Sequence, residues 1–464
     1  MPVLTVFSPY NESKIKDLPF MSEKEALSAL HMAHEVFLDK NNWLKPYERR
    51  AILEKLITLM QNQRDRLAMD ATREGGKPLM DSRVEADRAI NGVQVAIEHI
   101  GQMTGREIPM NLNLSSANRM AFTQRYPVGV VMAVSAFNHP LNLIVHQVIP
   151  AIAVGCPVLI KPASATPMSC FNLVELLYKA GLPKAWCQVI TCDNQTTEKL
   201  VSDSRISFFS FIGSSRVGWY LRSKLAAGVT CAMEHGGAAP VIIEADADLK
   251  NALPLLVKGG FYHAGQVCVS VQRIFADQSI AESLAHAIAK LAKQLKVGDP
   301  THPETEVGPL ISVKEVDRVD QWVQEAVKAG ANLLCGGKKM TNTCYEPTVL
   351  WNPPMSVKVS NEEIFGPVIC VYPYSNRNNA IKQANKLNFS FQAAVFTKDI
   401  DVAMNVVENL EAVTVMVNDH TAFRVDWMPF GGRKNSGLGL GGIPYSMHDM
   451  TYEKLMVIKH QLKD

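Results

Sequence analysis

Residues 128–162 read VGVVMAVSAFNHPLNLIVHQVIPAIAVGCPVLIKP. Val128 to Val134 is a short apolar run rich in β-branched residues, the pattern of a strand buried on both faces. Leu141 to Val154 carries helical spacing, with Pro150 as a kink. Pro157 to Ile160 is a second buried strand, ending at Lys161-Pro162. Strand, helix and strand in this order form a βαβ unit and hence a parallel sheet. The alternative is a membrane span, which needs about 20 apolar residues with few polar interruptions. Asn138, His139, Pro140, Asn142, His146, Gln147 and Pro150 break the stretch, so it reads as buried core.

The same alternation extends outward. Ser169 to Lys179 reads as a helix, Val189 to Thr191 as a strand, and Ile206 to Ile212 as another strand running into a glycine turn and a helix. These predict a doubly wound α/β domain. A second α/β domain begins near residue 236: strands at Val241–Ile243 and Arg273–Phe275, helices at Leu249–Phe261, Ile280–Leu295 and Val313–Ala329. Upstream, residues 22–70 and 81–101 are helical, with a break at Trp43 to Pro46. Met110 to Ala117 is polar and without period, a loop or an arm leaving the domain.

Length and composition are compatible with this. The 464 residues suggest about three domains, or two with an appendage, at roughly 150 residues each. Lys and Arg total 47 against 45 Asp and Glu, a net charge of +2, which gives no field to hold nucleic acid or an acidic membrane. Nine scattered cysteines suit free thiols in a reducing cytoplasm. The N-terminus lacks the features of a signal peptide, and the terminal HQLKD carries no anchor motif. No CxxC pair occurs, and His31 and His34 lack a third ligand nearby, so no metal is expected.

Five features have the residue types for chemistry, each with a plain structural alternative. In FIGSSRVG, Phe211 to Gly218, a strand meets Gly213 and Ser214 before a new helix, whose free N–H groups suit a phosphate, or form an ordinary turn. Lys161 at a strand end can meet a ribose or phosphate, or solvent. Cys268 in AGQVCVSVQR is a potential nucleophile or one more inert thiol. Glu234 in MEHGGAAP is a general base at a cleft or a turn glutamate. Asn138 donates to an oxyanion or caps the following helix.

Their order is more informative than any one of them. Asn138, Lys161, GSSRVG, MEHGG, GQVC, EEIFGPV (Glu362 to Val368) and PFGGRKNSG (Pro429 to Gly437) follow one another as in the NAD(P)-dependent aldehyde dehydrogenase superfamily, which the chain resembles from about residue 7 to 460. The branch resembled includes lactaldehyde, glycolaldehyde and phosphonoacetaldehyde dehydrogenases. The resemblance implies a Rossmann-like cofactor domain (1–109 and 128–235), an α/β catalytic domain (236–440) and a small β oligomerisation arm (110–127 and 441–464). It implies Cys268 as nucleophile, Glu234 as the base that activates water, and Asn138 with the Cys268 N–H as oxyanion hole. Cofactor contacts, to NAD or NADP, fall on Lys161, Ser164, Gly213, Ser214, Glu363 and Phe365. A homodimer or homotetramer acting on a small-molecule aldehyde is implied.

This sequence also departs from the family pattern. Ser164 stands where many NAD-preferring relatives carry a glutamate that repels a 2′-phosphate, so NADP should be accepted. His139 and His263 replace an aromatic residue and an asparagine, and either line the substrate side or vary the packing. Arg424 attracts an anionic or hydroxylated aldehyde, or pairs with Asp426. The expected reaction is oxidation of a small polar aldehyde to the acid through a thiohemiacetal and a thioester. The alternatives are a CoA-acylating semialdehyde dehydrogenase, which commonly lacks the glutamate, and a broad-specificity or succinate-semialdehyde-type enzyme.

Overall fold

The computed structural model describes residues 3–459. Its organising element is a six-stranded sheet in the order Gly437–Leu438, Thr230–Glu234, Ile206–Ile212, Val130–Val134, Val158–Lys161, Cys187–Val189. All neighbours are parallel except the short Gly437–Leu438 strand. From Val130–Val134 the chain builds first to one side and then, from Ile206, to the other. That reversal opens a crevice beyond the carboxyl ends of the strands, the usual ligand position in such sheets. The central strand is continuously apolar because both faces are covered. Val131 and Ala133 pack under the helices Asn142–Val154 and Met168–Ala180, and Val130 and Met132 under Glu23–Leu38.

A second, seven-stranded sheet runs Asn332–Cys335, Thr348–Trp351, Val368–Tyr374, Arg273–Asp277, Pro240–Ile243, Gln392–Phe396, Thr414–Val417. Only its outermost Asn332–Cys335 strand is antiparallel. Its core holds Ile242, Ile274 and Val371 with Leu256 and Ile288 from the covering helices. A third sheet pairs Thr451–Lys459 with Arg119–Pro127, and that strand with Glu107–Ile108.

Several expectations shift. The strand expected at 189–191 lies at Cys187–Val189, and the N-terminal helical region breaks again at Gln63, whose φ of −117° leaves the helical range. The chain also returns to the first sheet before it enters the arm. Gly437–Leu438 pairs with Thr230–Glu234, and the helix Ile443–Asp449 packs on Leu79–Ile100 and Asn142–Val154. Residues 441–450 therefore do not belong to the arm sheet, and Glu107–Ile108 does. The reason is apolar: Ile443 and Met447 are buried in the core of the first unit. The terminal HQLKD lies outside the described residues.

No helix among the described residues is long and apolar enough to cross a membrane. Among them, too, no three His, Cys, Asp or Glu side chains gather to hold a metal.

Candidate active site

A cleft of about 1590 Å³ crosses the carboxyl ends of the first sheet, where Val134, Lys161, Ile212 and Glu234 line it. It is larger than the roughly 300–1,000 Å³ of a typical small-molecule pocket, which leaves room for a large ligand together with a small one.

The loop that carries Cys268 leaves the helix Leu249–Phe261 through a tight left-handed turn. His263, Ala264 and Gly265 have φ of 48°, 54° and 69°. For the two non-glycine residues this conformation costs on the order of 1–3 kcal/mol each, so surrounding contacts must hold it. Gln266 supplies them. Its buried side chain donates to the Pro309 carbonyl (3.2 Å) and accepts from the Ile311 N–H (2.9 Å). Its carbonyl accepts from Asn138 Nδ2 at 2.9 Å, which fixes that amide two residues from Cys268 and leaves its second N–H free.

Cys268 and Glu234 both line the cleft, each partly buried. Burial pushes the Cys268 thiol well above its ordinary range, and the nearby Glu234 carboxylate adds to this while Arg424 opposes it. Burial also raises Glu234, again against Arg424. Glu234 fits because residue 441 is glycine: a Cβ there would sit 1.9 Å from Glu234 Oε1. All nine thiols are free.

At the other end of the cleft the strand Ile206–Ile212 passes through Gly213 and Ser214 into the helix Ser215–Arg222. Gly213 does not take a left-handed φ, so glycine is not needed there for the turn itself. It is needed because a Cβ would meet the Phe211 ring at 2.8 Å. Ser214 makes no side-chain cap, so the first N–H groups of the helix lack a side-chain acceptor. Lys161 is buried at its strand end, burial lowers its pKa, and it pairs with no carboxylate among the described residues. Lys161 lines the same cleft two strands away from this helix start, so a cation and free N–H donors both face the space where a dinucleotide's phosphates and ribose could lie. Glu363 accepts from the Gly237 N–H (3.1 Å), and burial pushes it up to about 7. Phe365, at φ 48°, meets Phe137 edge to face at 5.8 Å.

Of the expected residues, Asn138, His139, Lys161, Gly213, Ser214, Glu234, Cys268, Glu363, Phe365 and Arg424 all line this one cleft. Ser164 does not. It is exposed in the turn beyond Lys161, and Ala163 takes the lining position. His263 is fully buried behind the wall, with neither ring nitrogen hydrogen-bonded, while His139 reaches the cleft and bonds Tyr262 Oη at 3.2 Å. Arg424 does not pair with Asp426. Arg88 takes that carboxylate at 2.8 and 3.2 Å, and Arg424 instead reaches His146 Nδ1 at 3.3 Å.

Arg88 and Lys258 also line the cleft, and sequence reading missed both. Arg88 sits on a helix whose other face is core, and nothing local marks it out. Lys258 donates to Asp81 (2.6 Å), a partner 177 positions away.

The aldehyde dehydrogenase family profile matches residues 2–456. A 3-sulfolactaldehyde dehydrogenase from Priestia aryabhattai is 36% identical over 457 residues, covering 98% of this chain and 94% of that protein. A lactaldehyde dehydrogenase from Methanocaldococcus jannaschii is 36% identical over 460 residues, covering 98% and 97%. Among solved structures, a glyceraldehyde-3-phosphate dehydrogenase from Methanocaldococcus jannaschii complexed with NADP superposes with a TM-score of 0.94 at 35% identity, covering 98% of this chain and 99% of that one. Profile, relatives and fold agree across nearly the full length: the chain belongs to the aldehyde dehydrogenase family.

Proposed function

We propose that the protein oxidises a small polar aldehyde to its carboxylic acid with NAD(P). What carries the reading is that a thiol, an amide donor and a carboxylate, Cys268, Asn138 and Glu234, line the same cleft as Gly213 and Ser214 at the start of the helix Ser215–Arg222. The nicotinamide ring, when bound, supplies the acceptor for the hydride. The chain's own residues do the rest. Cys268 Sγ, once deprotonated, bonds to the aldehyde carbon and forms a thiohemiacetal. The free N–H of Asn138 and the Cys268 backbone N–H stabilise the charge on its oxygen. Loss of hydride leaves a thioester on Cys268. Glu234 takes a proton from water, whose oxygen attacks the thioester carbon and releases the acid and the thiol. In sum, aldehyde, water and NAD(P)+ give acid, NAD(P)H and a proton.

Lys161 and the helix start at Gly213-Ser214 bind the phosphates, and Glu363 and Phe365 flank the nicotinamide half. The turn after Lys161, residues 162–165, carries no carboxylate that could repel a 2′-phosphate, so NADP is accepted. A kcat/KM for NAD a thousandfold or more above that for NADP overturns this. The free cation of Arg424 in the substrate half favours an aldehyde bearing an anionic or hydroxyl group. The relatives named for lactaldehyde and sulfolactaldehyde oxidation support that class. Retention of Glu234 favours hydrolysis over transfer to CoA.

The cofactor-binding role goes to the six-stranded sheet, the catalytic role to the seven-stranded sheet and oligomerisation to the arm. The arm's outer strand exposes Tyr452, Leu455, Val457 and Ile458, apolar groups on an open edge, which suits assembly into a homodimer or homotetramer. The test is an aldehyde panel with NAD and NADP, followed at 340 nm without CoA. The reading expects turnover of small polar aldehydes; no turnover unless CoA is added contradicts it.

A further inference from the structure

Arg424 is a partly buried guanidinium with no carboxylate within 4 Å among the described residues, and its Nε has no hydrogen-bond partner. A charge held out of water without an ionic partner is costly, so its position must be fixed by other contacts. Here two contacts fix it. The guanidinium lies over the Phe430 ring at 3.5 Å, and Nη2 donates to His146 Nδ1 at 3.3 Å. That second contact depends on the tautomer of the ring. His146 Nε2 lies 2.7 Å from Asp426 Oδ1. A carboxylate can only accept, so Nε2 carries the proton and Nδ1 is left as a bare acceptor aimed at Arg424. Burial holds His146 down to about 4, so the ring stays neutral at neutral pH and does not repel the guanidinium.

Asp426 could have neutralised Arg424, two residues away in the chain, but its acceptor sites are filled. Arg88 Nε and Nη2, Asn142 Nδ2 and His146 Nε2 all bond to it, at 2.7–3.2 Å, and a carboxylate offers about four such sites.

We propose that His146, oriented by Asp426, is a positioning residue that aims the Arg424 guanidinium into the cleft and keeps its charge free for the anionic end of the aldehyde. This rests on the reading of Arg424 as a substrate contact, and the experiment separates the two. The probes are lactaldehyde and 3-sulfolactaldehyde, which share a carbon skeleton and differ by one sulfonate, each titrated with saturating NADP on the full chain. Wild type should have the lower KM for the sulfonate. His146→Leu should raise the KM for 3-sulfolactaldehyde at least tenfold more than that for lactaldehyde. His146→Gln, whose amide can both donate to Asp426 and accept from Arg424, should bring that ratio back to within threefold of wild type. The double variant His146→Leu, Arg424→Ala should discriminate no less and no more than Arg424→Ala alone.

If Arg424→Ala is selective and His146→Leu raises both KM values alike, the positioning role is overturned and the Arg424 reading stands. Additive losses in the double variant overturn it too. If wild type shows no preference for the sulfonate, or Arg424→Ala no selectivity, the Arg424 reading itself falls and the proposal with it. Should His146→Leu fail to fold, Asp426→Asn carries the same comparison, because an amide no longer dictates the ring's tautomer.

Discussion

Burial disfavours both the Cys268 thiolate and the Glu234 carboxylate. It raises both groups, and the Glu234 carboxylate further disfavours the thiolate, while Arg424 opposes both shifts. The chemistry needs the thiolate and the carboxylate, the forms present above each raised pKa. Activity should therefore climb as pH rises, the reverse of what a protonated acid catalyst would give. Glu234→Gln should lower kcat by about 10²–10³-fold, the range typical of a general base, and remove the part of the pH–kcat profile that the carboxyl contributes. A kcat profile for the variant that matches wild type in shape would show that Glu234 does not titrate in turnover. At this scale the sequence was informative only through order. Cys268 looked no different from eight other cysteines until its distance from Glu234 and the surrounding motifs were set together. Contacts between distant positions were hidden: Arg88 meets Asp426 across 338 positions.

The helix Asn142–Val154 shows how an element serves the site. Its start follows Asn138 and His139 directly, and no side chain from its own N-cap residue closes it. Glu85, from the helix Leu79–Ile100, does this instead. It accepts from the N–H groups of Leu141 (2.9 Å) and Asn142 (3.0 Å) while ion-paired to the fully buried Lys77. Glu85→Ala uncaps the helix and strands the lysine charge. Removing one partner of a buried pair typically costs about 3–5 kcal/mol, and the denaturation midpoint should fall accordingly. Because the cap lies beside Asn138, kcat should fall as well; a change in neither would show the pair to be dispensable.

The same network gives stability a pH dependence. His146 is held down to about 4 in the fold against 6.5 as its ordinary value, so the unfolded chain binds its proton first. Stability should decline as pH falls from about 6.5 to 4, and His146→Gln should flatten that decline in urea titrations. The helix itself was legible from its apolar spacing, as was the flanking βαβ unit. Its cap was not, because Glu85 lies 56 positions upstream and carries no local mark.

Across the whole molecule, two parallel sheets share one cleft and a third sheet stands apart with an apolar edge. The alternation of strand and helix was enough to read the two parallel sheets. The route of the C-terminal segment was not, since Gly437–Leu438 and Ile443–Asp449 return to the first unit through contacts that leave no period in the sequence. The edge strand Thr451–Lys459, apolar and unpaired on one side, should join a second copy. Light scattering should find a dimer or tetramer. Val457→Pro, which removes one edge donor and bends the strand, should shift it toward monomer; a monomeric wild type would contradict the assignment.

The account turns on a bond between Cys268 and the aldehyde carbon before hydride leaves. The most direct test is a single-turnover mix of enzyme, NADP and aldehyde followed at 340 nm, on wild type and Cys268→Ala, with cofactor binding verified for both. The account predicts a burst of absorbance close to one equivalent for wild type and none for the variant. A burst of equal size from Cys268→Ala would contradict it.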